Sequence, residues 1–187
     1  MIILRRSQAT VAAVAATLLL AGCASGGRST QMIAPVASAQ DHVQSGQPGF
    51  QAVTVSPSQG GSATNPLWMS NVSADQFDAA LKASLQGAGF LAPDGSPGQV
   101  RVSARLIELE RPLAGLDLTV KSRVHYNVVE VATSKTLMDE PIAASGTAKM
   151  GEALIAVERL RLANEAAVRA NIQAFITRLR GVLAGAD

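Results

Sequence analysis

Val100-Arg101-Val102-Ser103-Ala104-Arg105-Leu106-Ile107 alternates apolar and polar residues as far as Leu106, and that period of two decides what the rest of the chain must supply. Successive side chains of a strand point to opposite sides. Val100, Val102, Ala104 and Leu106 therefore make one apolar face, and Arg101, Ser103, Arg105 and Ile107 make the other. A sheet with one apolar face needs a second layer to cover it.

Downstream, Arg111 to Gly115 breaks the run, with Pro112 and Gly115 as punctuation. A longer alternation follows, with Leu116, Leu118, Val120, Val124, Tyr126 and Val128 on one face and Thr119, Lys121, Arg123, His125 and Asn127 on the other. Ala132-Thr133-Ser134-Lys135 turns the chain into a last strand over Thr136 to Ala148, where Pro141 predicts a sheet edge or a bulge. A hairpin centred near Leu113 would set Arg101 opposite His125, Ser103 opposite Arg123 and Arg105 opposite Lys121. Like charges facing across strands destabilise a sheet unless something compensates them.

The covering layer comes from two helices. Ser73 caps the first, Gln76 completes a capping box, and Val72 with Phe77 is spaced for a hydrophobic staple. Phe77, Ala80, Leu81, Ser84, Leu85 and Ala88 recur on one side, Asp78 and Lys82 pair one turn apart, and Gly87 and Gly89 stop the helix. The second runs from about Glu158 to Arg180 with a stripe of Leu160, Ala163, Ala167, Val168, Ile172, Phe175, Ile176 and Leu179. Glu165 and Arg169 are spaced for an ion pair, and Gly181 ends it. With a first strand at Phe50 to Val55, the order is β-α-β-β-β-α. The expected fold is α+β, a two-layer antiparallel-rich sheet with two helices on one face.

The N-terminus carries a different signal. Arg5 and Arg6 precede an apolar run from Val11 to Leu20, which is the layout of a secretory leader and about half of the roughly 20 residues that span a bilayer. It closes on Leu20-Ala21-Gly22-Cys23, which resembles the lipobox of bacterial lipoproteins. That resemblance implies cleavage between Gly22 and Cys23, acylation of Cys23, and anchoring in a lipid bilayer. By the sorting rule of the same proteins, Ala24 and Ser25 in place of an aspartate favour the outer membrane over the inner, with the protein facing the periplasm. The expected domains are a leader over 1–22, a lipidated Cys23 with a flexible tether over 23–48, an envelope domain over 49–183 and a tail over 184–187. The tether is expected from its Ala, Ser, Gly, Gln and Pro content, which lacks any period.

Without Arg5 and Arg6 the 16 basic residues fall to the number of acidic ones, 14, so nucleic acid is not an expected partner. Cys23 is the only cysteine, so no disulfide forms within the chain. No cofactor or metal is expected: there is one histidine in the domain, no His-x-x-x-His or Cys-x-x-Cys, no nucleophile elbow and no phosphate loop. Glu108 and Glu110 are a carboxylate pair capable of acid-base work, but the simpler reading is a solvated strand end.

The element order behind a lipobox, with Arg123-Val124-His125-Tyr126 leading into a Thr-Ser-Lys turn, is similar to YajG-like lipoproteins and to auxiliary lipoproteins of ABC-type envelope transporters. Those families imply an accessory role in the periplasm and no reaction. The candidate site is the face bearing Arg101, Arg105, Lys121, Arg123 and His125, suited to an anionic envelope protein, glycolipid or cell-wall polymer. Trp68 is a second candidate contact for a partner. The expected function is a non-catalytic accessory or binding lipoprotein, with a structural lipoprotein or an envelope enzyme as the alternatives.

Overall fold

The computed structural model describes residues 25–36, 42–62, 71–112 and 115–185. Leu20 to Cys23, Trp68 and Leu113 lie outside the described residues, so the cleavage and lipidation sites and the tryptophan contact keep their sequence-based reading only. In chain order the elements are α1 (Ser29–Met32), β1 (Val53–Val55), β2 (Gln59–Gly60), α2 (Ala74–Gly87), β3 (Val100–Glu110), β4 (Leu118–Glu130), β5 (Thr136–Ala148), a 3-10 turn (Met150–Glu152) and α3 (Ala156–Leu183).

The sheet has β5, β4 and β3 as an antiparallel meander, and β1 lies parallel to β3 at its other side. β2 continues that edge by pairing Gln59 with Arg105 and Gly60 with Leu106. The expected α+β architecture holds, including β5 over Thr136–Ala148, where Pro141 sits on an edge strand and its missing donor costs no ladder bond. Both helices lie on the face formed by Val100, Val102, Ala104, Leu106, Val120, Val124, Tyr126 and Val128, all of them buried.

α3 crosses the sheet along its length, and three contacts set its height. Gly146 on β5 is so close to the helix that a Cβ there would lie 2.1 Å from the Ala167 amide nitrogen. Ser122 Oγ donates to the Ala167 carbonyl at 2.9 Å. Asn171 donates to the Ile142 carbonyl at 2.8 Å and accepts from the Tyr126 hydroxyl at 3.0 Å, while the Tyr126 ring stacks on Phe175 with centroids 4.0 Å apart. Polar and aromatic groups thus fix the axial position of a helix whose apolar stripe alone would tolerate sliding.

The structure departs from the sequence reading in four ways. The segment expected as a flexible tether is a strap across the two helices, at least over residues 25–36 and 42–48. Met32, Ala34 and Val43 are buried. The Gly27 amide donates to Asn71 O, Ala34 to Ser84 Oγ and Val43 to Ala88 O. Its few apolar anchors have no common period, which is why composition reads as a linker; the body supplies the hydrogen-bond partners that the strap cannot make for itself.

The ion pairs also move. Glu165 pairs with Arg161 at 2.7 Å and with Arg28 at 3.3 Å, while Arg169 donates to the Gln31 carbonyl at 2.6 Å. Both Glu165 and Arg161 are buried, so each takes the partner that the strap and its own helix offer. Asp78 likewise turns from Lys82 and receives the Ser58 amide on both oxygens at 3.0 Å. Ser73 accepts from Gln76 N as expected of a cap, but Gln76 Oε1 accepts from the Ser29 amide at 2.8 Å.

Two boundaries shift. α3 passes through Gly181 and ends at Leu183, because Gly181 meets no left-handed requirement there. Leu116 lies before β4 and is exposed, not part of its apolar face.

The fourth departure is the strand register. A bulge at Ile107 and a loop centred further along the chain shift every pair between β3 and β4. Arg105 faces His125, Ser103 faces Asn127, Arg101 faces Val129, Glu108 faces Arg123 and Glu110 faces Lys121. An inserted residue reverses which parity points inward, so Leu109 packs toward the core while Glu108 and Glu110 join the open face.

Candidate functional site: the open face of the sheet

The sheet face opposite the helices has no layer over it among the described residues. β3 contributes Arg101, Ser103 and Arg105; β4 contributes Lys121, Arg123, His125 and Asn127; β5 contributes Asp139, Pro141, Ala143, Ser145 and Thr147. All five cations singled out in the sequence share this face, because alternation fixes the side of the sheet even where the register is misjudged.

The corrected register changes the electrostatics of that face. The expected pairings of Arg101 with His125 and Arg105 with Lys121 do not form, and Arg105 stands across from His125 instead. Lys121 has Glu110 at 3.6 Å, both well exposed, and His125 Nε2 has Asp139 Oδ1 at 3.4 Å. Glu108 and Glu110 thus stand opposite cations, which gives them a charge-balancing place in the sheet. Glu140 points to the helix side and receives Arg178 Nε at 2.9 Å. Arg101, Arg105 and Arg123 form no ion pair within 4.0 Å among the described residues.

Around Arg105 the surface is concave. Ser56, Pro57 and Gln59, on the connection from β1 into β2, stand as a rim beside Ser103, Arg105, His125 and Asn127 and bound a depression of about 240 Å3. The rim is not legible in the sequence, which from Ser56 to Pro66 is rich in Gly, Ser and Pro and shows no period. What places it is the parallel pairing of Gln59 with Arg105. On the β5 side the open face carries the small side chains of Ala143, Ser145 and Thr147. The arrangement offers exposed guanidinium groups, an imidazole, and amide and hydroxyl groups to an anionic surface. Guanidinium groups suit carboxylates and phosphates through paired N–H donors.

A second hollow of about 190 Å3 lies at the end of the sheet, between Gly60, Gly61, Asn71, Glu108 and Arg111. Arg111 donates to Asn71 Oδ1, and burial pushes its guanidinium below the usual arginine range. Among the described residues no three His, Cys, Asp or Glu side chains are grouped to hold a metal ion, and no helix is long and apolar enough to cross a membrane.

No protein-family model matches the sequence, and neither does any curated protein. Solved structures with a similar fold include a hypothetical protein from Chlamydia trachomatis, with a TM-score of 0.50, 12% identity, and 71% of this chain and 97% of that one covered. A protein from Xanthomonas campestris gives a TM-score of 0.50 at 12% identity over 82% of this chain and 95% of its own. A lipoprotein candidate from Caulobacter crescentus gives 0.49 at 11% identity over 74% and 95%. At these identities the first two likenesses are of fold.

Proposed function

We propose that this chain is a lipid-anchored accessory protein of a bacterial envelope, held by acylated Cys23 at the periplasmic side of the outer membrane, and that its open sheet face docks an acidic envelope protein. The observation that carries the reading is the set of Arg101, Arg105 and Arg123, which form no ion pair among the described residues, beside a concave, polar-rimmed patch on a sheet face that no layer of described residues covers. An open depression on a three-strand face fits a protein surface better than a small molecule, which favours enclosure. The role is one of binding because catalysis needs charges preorganised in a water-excluded site, and these arginines are exposed.

The test is a photo-crosslinking residue at Asn127 in cells. One acidic envelope protein should be trapped, and Arg105→Gln with Arg123→Gln should abolish trapping while thermal unfolding stays within about 2 °C, since exposed substitutions that set no second carboxylate opposite Glu108 cost little. Trapping at wild-type levels by the double variant overturns the docking face, and capture of a glycolipid or cell-wall polymer overturns the choice of partner. Fatty-acid labelling that is equal in wild type and Cys23→Ser overturns the anchor.

A further inference from the structure

The strap, read with the positions of the exposed apolar side chains, says how the body would sit on its membrane. Four peptide steps separate Cys23 from Gly27, and an extended chain covers at most about 3.6 Å per residue, or about 14 Å in all. Gly27 is not free to wander: its amide donates to Asn71 O at 2.9 Å. The next residue is held more firmly, because Arg28 donates from both its backbone N and its Nε to the buried Glu165 of α3. α3 has 28 residues and so runs about 42 Å. A chain anchored at Cys23 can therefore bring one end of the molecule to the lipid, and it cannot bring the other.

That end is identifiable. It is where β3 finishes at Glu110, β4 starts at Leu118, β5 finishes at Ala148, and α2 and α3 begin. Four large apolar side chains stand exposed there: Leu116 at 70%, Met150 at 48%, Leu154 at 91% and Ile155 at 57%. They sit on two adjoining segments. Asp117 Oδ1 accepts the Met150 amide at 2.9 Å, which ties the turn before β4 to the turn after β5. Arg159 Nη1 donates to the Ala153 and Leu154 carbonyls at 2.7 and 3.1 Å, holding the backbone just ahead of α3 with Leu154 projecting.

Exposed apolar side chains that gather at one place mark an interaction surface, whereas scattered ones do not. The charges beside them are mixed, Lys149 with Asp117 and Glu152, so adhesion there rests on apolar contact and does not require an anionic lipid. We infer that this end, bearing Leu116, Met150, Leu154 and Ile155, is a membrane-apposed surface that rests in the interface of the bilayer carrying the Cys23 anchor. The α3 axis then stands up from the membrane, with Ala184 and Gly185 farthest away. The inference rests on the proposed anchor at Cys23, and it replaces a body floating on a long tether with one held in a set orientation.

Cys23 is the only cysteine, and acylation consumes its thiol, so an introduced cysteine takes a spin label at a single place. The experiment uses the full acylated protein in vesicles of phosphatidylethanolamine and phosphatidylcholine, labelled in separate variants at L154C, L116C, S103C and A184C. The readout is label relaxation by oxygen, which partitions into lipid, against a water-soluble nickel chelate. The expected result is an oxygen-to-nickel ratio at positions 154 and 116 about tenfold above that at position 184, with position 103 intermediate or low. Mass spectrometry and flotation on the same samples report the anchor separately. Acylated protein that floats but gives equal ratios at 154 and 184 overturns the apposed end and leaves the anchor standing. Protein that carries no acyl group overturns both. Protection of position 154 that appears only when envelope proteins are added assigns the surface to a protein partner and likewise overturns the inference. All four positions are surface sites, and a thermal melt of each variant confirms the fold before labelling.

Discussion

Replacing Gly146 with alanine tests the packing that holds the two layers together. The added methyl would lie 2.1 Å from the Ala167 nitrogen, 2.4 Å from the Ala166 carbonyl carbon and 2.7 Å from the Ala166 Cβ. Ordinary contact begins at 3.4 Å, so α3 or β5 must retreat by more than an ångström. The obstacle is helix backbone, which has no rotamer to change. Retreat opens the small core of Leu118, Val120, Ala148, Ala163 and Ala167 and stretches the Ser122 to Ala167 hydrogen bond beyond its 2.9 Å. Overpacking costs about 1 to 3 kcal/mol, and the lost hydrogen bond adds about 1 kcal/mol. The expected loss is about 3 kcal/mol, which for a domain of this size lowers the melting temperature by about 6 to 12 °C. Circular dichroism on purified wild type and G146A measures it, with G151A as the control, because nothing lies within 4 Å of a Cβ at Gly151. If G146A melts within 2 °C of wild type by this measure, the close approach of α3 to β5 is wrong.

Two further expectations concern buried polar groups. Glu165→Ala leaves the buried Arg161 with Glu158 alone as its ionic partner among the described residues and releases both Arg28 donors. Loss of about 3 kcal/mol should come with faster tryptic cleavage after Arg28, and unchanged cleavage there would show that the strap is held by other contacts. Tyr126 is the only tyrosine, and burial pushes its phenol well above the ordinary value of 10.0. A folded-state pKa raised this way contributes stability that is fully present below about pH 10 and is lost as pH rises above it. The tyrosinate absorbance should therefore appear together with unfolding on alkaline titration; its appearance in protein still folded by circular dichroism would contradict a buried ring.

The open face and the strap show how different kinds of information reach the sequence. Period-two alternation assigned Arg101, Arg105, Lys121, Arg123 and His125 to one side of the sheet, and the capping and spacing of Ser73 to Ala88 located α2 to within a residue or two. These signals are local. Which residue on β4 stands across from which on β3 is not local, since the position of the loop between them moves every pair and the bulge at Ile107 offsets the two ends of the ladder by one more residue, while neither changes the alternation before the bulge. The rim of Ser56, Pro57 and Gln59 was hidden for a related reason: a two-residue strand has too few positions to show a period.

The amino-acid order alone determined the two-layer α+β plan, the apolar and open sides of each strand, and an apolar N-terminal run that closes on Leu20-Ala21-Gly22-Cys23. The burial of apolar side chains repeats at the pitch of each element, so those features are written into neighbouring residues. Only the folded molecule decided the partners: Glu165 with Arg28 rather than Arg169, Glu108 across from Arg123, and residues 25–36 as a strap rather than a tether. Arg28 and Glu165 are 137 residues apart. Contacts at that separation depend on where the helices and sheet finally sit, and no local period records them.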